Sequence, residues 1–351
     1  MGASQSMAPV RPSRMPSRRF FVRLLVALLA AALLGLAGFV GYAGAVGPDA
    51  ILHPGYRADC RTPAELGWAY EAINYDIADD GALRAANADM TKCSNQGAAA
   101  GGSVVNADGV PIAGWYIPAA NGAAPTATTV VLVHGWGDNK SGLLKYAAPL
   151  REQFNVVAFD LRNGGRSGLK ETTFGLDEQQ DLRAILDWLT SVKHPAHIAV
   201  MGNSMGGGTA LIEGSNDQRV KAVILDSTHA RMSELLNRRM DVDEGLPPVP
   251  TTWAVMTSMR IRYGIDLDRA DPVNYIAALG SRPLLIIHGT ADRNDVPAQS
   301  ADVNAARARA SGVSVQVEMC QDGSHGKLVE TCPADWARWT TEFIAAAFPT
   351  S

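Results

Sequence analysis

Cysteine is scarce in this chain, with four in 351 residues: Cys60, Cys93, Cys320 and Cys332. No two are spaced as C-x-x-C and none has a histidine at finger spacing, which argues against a metal centre. Acids are missing from the first 48 positions, whose only charged side chains are Arg11, Arg14, Arg18, Arg19 and Arg23. The rest of the chain lacks any excess of positive charge: the formal net charge is −4, so residues 47–351 carry −9 once those five arginines are set aside. An acidic body repels a phosphate backbone, and nucleic acid is excluded as a partner. The length suits one catalytic domain with a leading segment and a connector, and no second catalytic module is visible.

What is present starts with Gly202-Asn203-Ser204-Met205-Gly206, which follows the apolar run 197–201 and opens a helix-like stretch at 207–212. A serine in a strand-to-helix turn projects clear of the sheet, and glycines flank it because a Cβ there would meet the neighbouring strand and helix. Ser204 is the candidate nucleophile. Its hydroxyl stays protonated at neutral pH, so it needs a base, and that base needs a partner to fix its tautomer. Both partners are expected downstream, acid before histidine. The apolar run 283–287 leads into His288-Gly289-Thr290-Ala291-Asp292, making Asp292 the candidate acid, with Asp295 in the same loop as the alternative. The alternating segment 313–319 reads as an edge strand running into a loop that carries His325, the candidate base.

Charge developing on a carbonyl oxygen needs fixed donors. The backbone amide of Met205 is the first candidate, and that of Trp136, in the loop His134-Gly135-Trp136-Gly137 after the apolar run 129–133, is the second. His134 and His229 are read as structural histidines, since one base suffices.

At these residues the chain resembles the α/β-hydrolase superfamily, and within it the bacterial esterases and serine-peptidase-like hydrolases. The likeness covers residues 104–347 and rests on five motifs in order: Val131-Leu132-Val133-His134-Gly135-Trp136-Gly137-Asp138, the segment 159–168 with Asp160, Arg162 and Gly164-Gly165, the serine turn, Ile287-His288-Gly289-Thr290-Ala291-Asp292, and Ser324-His325. It departs at Gly164-Gly165, where relatives often carry a histidine before the second glycine. The resemblance implies an eight-stranded, mostly parallel sheet flanked by helices, and hydrolysis through an acyl-enzyme without a cofactor.

The apolar pattern independently indicates an α/β class. Continuous runs at 129–133, 156–159, 198–201, 220–225 and 284–287 suit strands covered on both faces, and helix-period stretches at 143–154, 177–192 and 298–310 alternate with them. The acids at 177–181 fall in a first helical turn and are read as partners of the helix dipole rather than metal ligands. Asp108-Gly109 suggests a hairpin turn. Between about 228 and 280 the alternation breaks into a small helical cap; Trp253, Met256 and Met259 are its candidates for substrate contact.

The leading segment divides into a basic stretch, 1–23, and an uncharged apolar stretch, 24–46, followed by a connecting region, 47–103, and the hydrolase domain, 104–351. At about 1.5 Å per residue the apolar stretch is long enough for a bilayer core of about 30 Å. Positive charge on its leading side directs the N-terminus to the cytoplasm and the catalytic domain outside. The run Ser17-Arg18-Arg19-Phe20-Phe21 resembles a twin-arginine export signal, and Ala43-Gly44-Ala45 offers a cleavage site. The stretch exceeds a usual signal core, so a retained anchor is expected, with secretion after cleavage near Ala45 as the alternative. In an exported domain four cysteines suggest two bridges. Cys320 with Cys332 would brace the loop that carries His325, leaving Cys60 with Cys93.

The expected protein is therefore an exported, membrane-anchored serine hydrolase acting on a small-molecule ester or acyl substrate. A peptidase or acyltransferase on the same residues, and a non-catalytic binding protein, are the alternatives.

Overall fold

The structure, a computed structural model, describes residues 18–54, 61–74, 98–99, 103–125, 127–293 and 296–348. Cys60, Cys93 and Asp295 lie outside these residues.

The strands are β1 (Glu71–Ile73), β2 (Ala98–Ala99), β3 (Gly114–Ile117), β4 (Thr129–Val133), β5 (Asn155–Phe159), β6 (Ile198–Asn203), β7 (Val220–Asp226), β8 (Leu284–Gly289) and β9 (Val315–Cys320). Among the described residues they form one sheet in the order β2-β1-β3-β5-β4-β6-β7-β8-β9. Setting aside β2, a two-residue edge, leaves the eight-stranded sheet expected. Only β3 is antiparallel to its neighbours, β1 and β5; every other pairing is parallel.

Parallel strands need long crossovers, and the helices supply them. They are α1 (Arg18–Leu52), α2 (Leu144–Leu150), α3 (Glu178–Val192), α4 (Met205–Asn216), α5 (Met232–Val242), α6 (Pro248–Ser258), α7 (Gln299–Ala310), α8 (Leu328–Thr331) and α9 (Pro333–Ala347). Every residue of β4, β5, β6 and β8 is buried, because successive side chains enter opposite cores. In β4, Val131 and Val133 pack with Leu182 and Ile185 of α3 and Leu211 of α4 in one core. Val130 and Leu132 join Leu144 of α2 and Trp336 and Phe343 of α9 in the other. The Asp108-Gly109 turn forms as read, with Gly109 at φ +79° and a single antiparallel bridge between Val105 and Pro111.

The acids at the start of α3 do more than face the helix dipole. Glu178 accepts the backbone N–H groups of Thr173 and Gly175, each at 2.7 Å, and Asp181 is fully buried against the Arg162 guanidinium at 2.9 Å. They fasten the loop 160–177 beneath the sheet's carboxyl edge, a role that depends on a distant partner and not on helix position.

The interruption between β7 and β8 is the cap: α5, α6, a π-helical turn (Met259–Tyr263) and three short 3₁₀ turns. Helix α1 is long and apolar enough, over Phe21–Leu52, to cross a membrane or act as a signal. It continues six residues past the expected end of the apolar stretch because Ile51 and Leu52 bury their side chains in the catalytic body. Cys320 and Cys332 form a disulfide, as expected, with Cα atoms 6.0 Å apart.

Candidate active site

Ser204 sits at the junction of β6 and α4 with φ 53° and ψ −119°, a conformation costly for a side chain and typical of functional turns. The sequence enforces it. A Cβ at Gly202 would collide with the backbone of Gly206, and one at Gly206 with the carbonyl of Val133, so both approaches require glycine. The Ser204 N–H donates to the Asp226 carbonyl at 2.8 Å, locking the turn to the end of β7.

The structure brings Ser204, His325 and Asp292 together. His325 Nε2 lies 3.0 Å from Ser204 Oγ, and His325 Nδ1 lies 2.8 Å from Asp292 Oδ2. The other Asp292 oxygen accepts the Val296 N–H at 3.0 Å. Asp292 is buried while His325 is partly exposed, so the carboxylate is shielded and the imidazole faces the open side of the turn. With a carboxylate at Nδ1 the imidazole carries its proton there, which leaves Nε2 free to accept one. The disulfide closes the loop that carries His325 between β9 and α9.

Met205 is the first residue of α4, so its N–H is one of the helix's four orphan donors. The loop after β4 lies against the serine: a Cβ on Gly135 would stand 3.4 Å from Ser204 Cβ. Trp136 follows it. Its indole N–H donates to the Ile51 carbonyl at the end of α1 at 2.9 Å, and the Arg239 guanidinium of the cap lies 4.3 Å from its ring centre. Asn163 Nδ2 donates to the next carbonyl, Leu52, at 3.0 Å. Carbonyls that a helix end leaves unpaired are thus taken up by the loops beside Ser204.

His134 is structural in this geometry: Leu161 N–H donates to its Nε2 at 3.0 Å, and its Nδ1 donates to Gly135 O at 2.8 Å, joining the loops after β4 and β5. His229 is buried in the cap, where burial and the nearby His325 depress its pKa to about 4 and keep it neutral. Of the cap candidates for substrate contact, Met259 is completely buried in the core and Trp253 is 63% exposed. Trp253 and Met256 line a cavity of about 320 Å³ between α5 and α6 that includes none of Ser204, Asp292 or His325. The cap candidates thus divide between the core, which takes Met259, and the cavity between α5 and α6, which Trp253 and Met256 line.

One group was missed from sequence. Asp226, the last residue of β7, is fully buried beside the site and accepts from Trp336 Nε1 at 2.8 Å and from Asn203 Nδ2 at 2.9 Å. Burial raises its pKa, against the lowering effect of those donors. Its only sequence signal is an acid at the end of an apolar run, the same signal that marks Asp292.

A sheet of this order with a serine in the β6–α4 turn is the α/β-hydrolase fold. The family model for the alpha/beta hydrolase fold matches residues 128–254. The uncharacterized protein YfhR of Escherichia coli (strain K12) is 32% identical over 191 residues, 53% of this chain and 60% of that protein, so the match spans less than two thirds of the relative's length. Among solved structures, the esterase Pf2001 of Pyrococcus furiosus superposes with a TM-score of 0.62 at 23% identity, over 84% of this chain and 98% of its own. A bacterial membrane phospholipase A superposes with a TM-score of 0.53 at 17% identity, over 95% of this chain and all of its own. These likenesses show the fold, and with the family model they support a hydrolase.

Proposed function

We propose that the protein is a membrane-anchored serine hydrolase that cleaves carboxylic esters through an acyl-enzyme on Ser204. The observation that carries this reading is His325 hydrogen-bonded on one side to Ser204 Oγ and on the other to Asp292. His325 Nε2 takes the serine proton as Oγ attacks the ester carbonyl carbon, and Asp292 steadies the imidazolium that results. The backbone N–H groups of Met205 and Trp136 receive the developing oxyanion. Collapse expels the alcohol, which takes its proton from His325, and water activated by the same imidazole releases the acid. The serine needs no metal or cofactor for these steps.

Ester rather than amide chemistry is supported by the fold's likeness to the Pyrococcus esterase and the membrane phospholipase A. A test compares turnover of short-chain nitrophenyl esters with that of aminoacyl nitroanilides. Turnover of the esters alone, abolished by Ser204→Ala, is expected; preferential nitroanilide turnover would replace the esterase reading with a peptidase.

A further inference from the structure

Helix α1 is held by the body before it ends. Its last third is packed into the cap. Ala43 is buried, and a Cβ on Gly44 would stand 3.3 Å from the Ala254 carbonyl and 3.6 Å from Ser258 Cβ, both in α6. Gly47 lies against the Val255 side chain. From the π-helical turn after α6, the Arg262 guanidinium donates to the carbonyls of Ala45 at 2.7 Å and Gly44 at 3.2 Å, and the Tyr263 hydroxyl donates to Asp49.

These contacts fix a level. The apolar stretch ends at Val46, so α6 and its following turn meet α1 within about one helical turn of the place where the chain would leave the hydrocarbon. At that level the cap exposes large apolar side chains: Trp253 is 63% exposed and Ile261 is 78% exposed. On α1, Tyr42 and Val46 are exposed alongside. Ile261 is flanked by Arg260 and Arg262, and Tyr263 follows. An exposed tryptophan and isoleucine beside charged side chains suit the boundary between acyl chains and headgroups; the two arginines frame the patch from fixed positions, Arg262 on the α1 carbonyls and Arg260 on Asp266 at 2.6 Å and Asp268 at 3.1 Å. Facing water, the same side chains would leave an unpartnered apolar patch on an otherwise acidic body.

We propose that this outer edge of the cap, Trp253 and Ile261 with the arginines beside it, is a lipid-contacting surface seated in the outer leaflet next to α1. The inference rests on α1 being a membrane-spanning helix. That helix then sets the height and orientation of the cap over the bilayer, as well as keeping the enzyme near it.

The test uses the full-length protein in phosphatidylcholine–phosphatidylglycerol proteoliposomes, with a nitroxide attached at Ile261→Cys and, separately, at Trp253→Cys, and the unsubstituted protein as the labelling blank. Leu34→Cys in α1 reports the hydrocarbon and Lys221→Cys, exposed on β7, reports water. Labels at 261 and 253 are expected to collide with oxygen as the label at 34 does and to lose most collisions with a water-soluble nickel chelate. Labels at 261 and 253 that behave like the one at 221, while 34 stays in lipid, would overturn the proposal and leave the anchor intact. A water-exposed label at 34 would sink the anchor reading, and the proposal with it.

Discussion

At the scale of single residues, the two oxygens of Asp292 are committed to different partners, one to His325 and one to the Val296 N–H. An amide in its place would present a donor to one of them and disturb the imidazole tautomer. Asp292→Asn is therefore expected to lower kcat on a nitrophenyl ester by about 10⁴-fold, while Asp295→Asn stays near the wild-type rate; the reverse pattern would transfer the role to Asp295. His229 carries a separate, pH-dependent prediction. Its folded pKa of about 4 lies below the unfolded value, so the unfolded chain binds the extra proton between pH 6.5 and 4. The stability it confers is complete above pH 6.5 and is lost, by about 3 kcal/mol, as pH falls toward 4. Urea midpoints at pH 7 and 4.5 should move further apart for the wild type than for His229→Phe; equal separations would contradict the assignment. Ser204, Asp292 and His325 were legible as candidates because each follows a strand in a fixed order, the first two after continuous apolar runs and His325 after an alternating one. Asp226 was not, since the same local pattern does not reveal which acid turns toward a histidine and which turns toward Trp336.

At the scale of elements, the loop between β9 and α9 holds the base and is closed by Cys320 and Cys332. Bridging residues twelve apart restricts the unfolded chain by about 3 kcal/mol on the chain-entropy estimate. Cys320→Ser/Cys332→Ser should lower stability by about that amount and reduce kcat more than it changes KM, as the imidazole becomes less well held; unchanged melting and turnover would show that packing alone fixes the loop. The central strands were readable because continuous apolar runs survive only where both faces are covered. β1, three residues long, and β2, two, were not, because so short a run has no period. The cap's helices were visible as elements, but which faces they turn to the body is set by distant contacts, among them α6 on α1 and Arg239 of α5 on the Trp136 ring. Sequence therefore marked Trp253, Met256 and Met259 as cap residues without giving the side that each one turns to the body.

At the scale of the molecule, the distribution of charge and the docking of α1 point the same way. Five arginines precede the apolar stretch with no acid among them, and on the proposed membrane-anchored reading they would direct the N-terminus inward and the hydrolase domain outward. Ala43-Gly44-Ala45 lies inside a helix packed on α6, where cleavage would need that packing undone, and this favours retention. In intact spheroplasts an N-terminal tag should resist added protease, a C-terminal tag should be digested, and both should stay with the membrane fraction; loss of the N-terminal tag with a soluble body would indicate cleavage instead. The central claim is that a hydroxyl in the β6–α4 turn becomes an attacking oxygen. Its most direct measurement is covalent capture by a fluorophosphonate with peptide mapping of the adduct. The account predicts labelling of the wild type at Ser204 and none in Ser204→Ala or in heat-unfolded protein. Labelling at another residue, or an unreactive native protein, would contradict it.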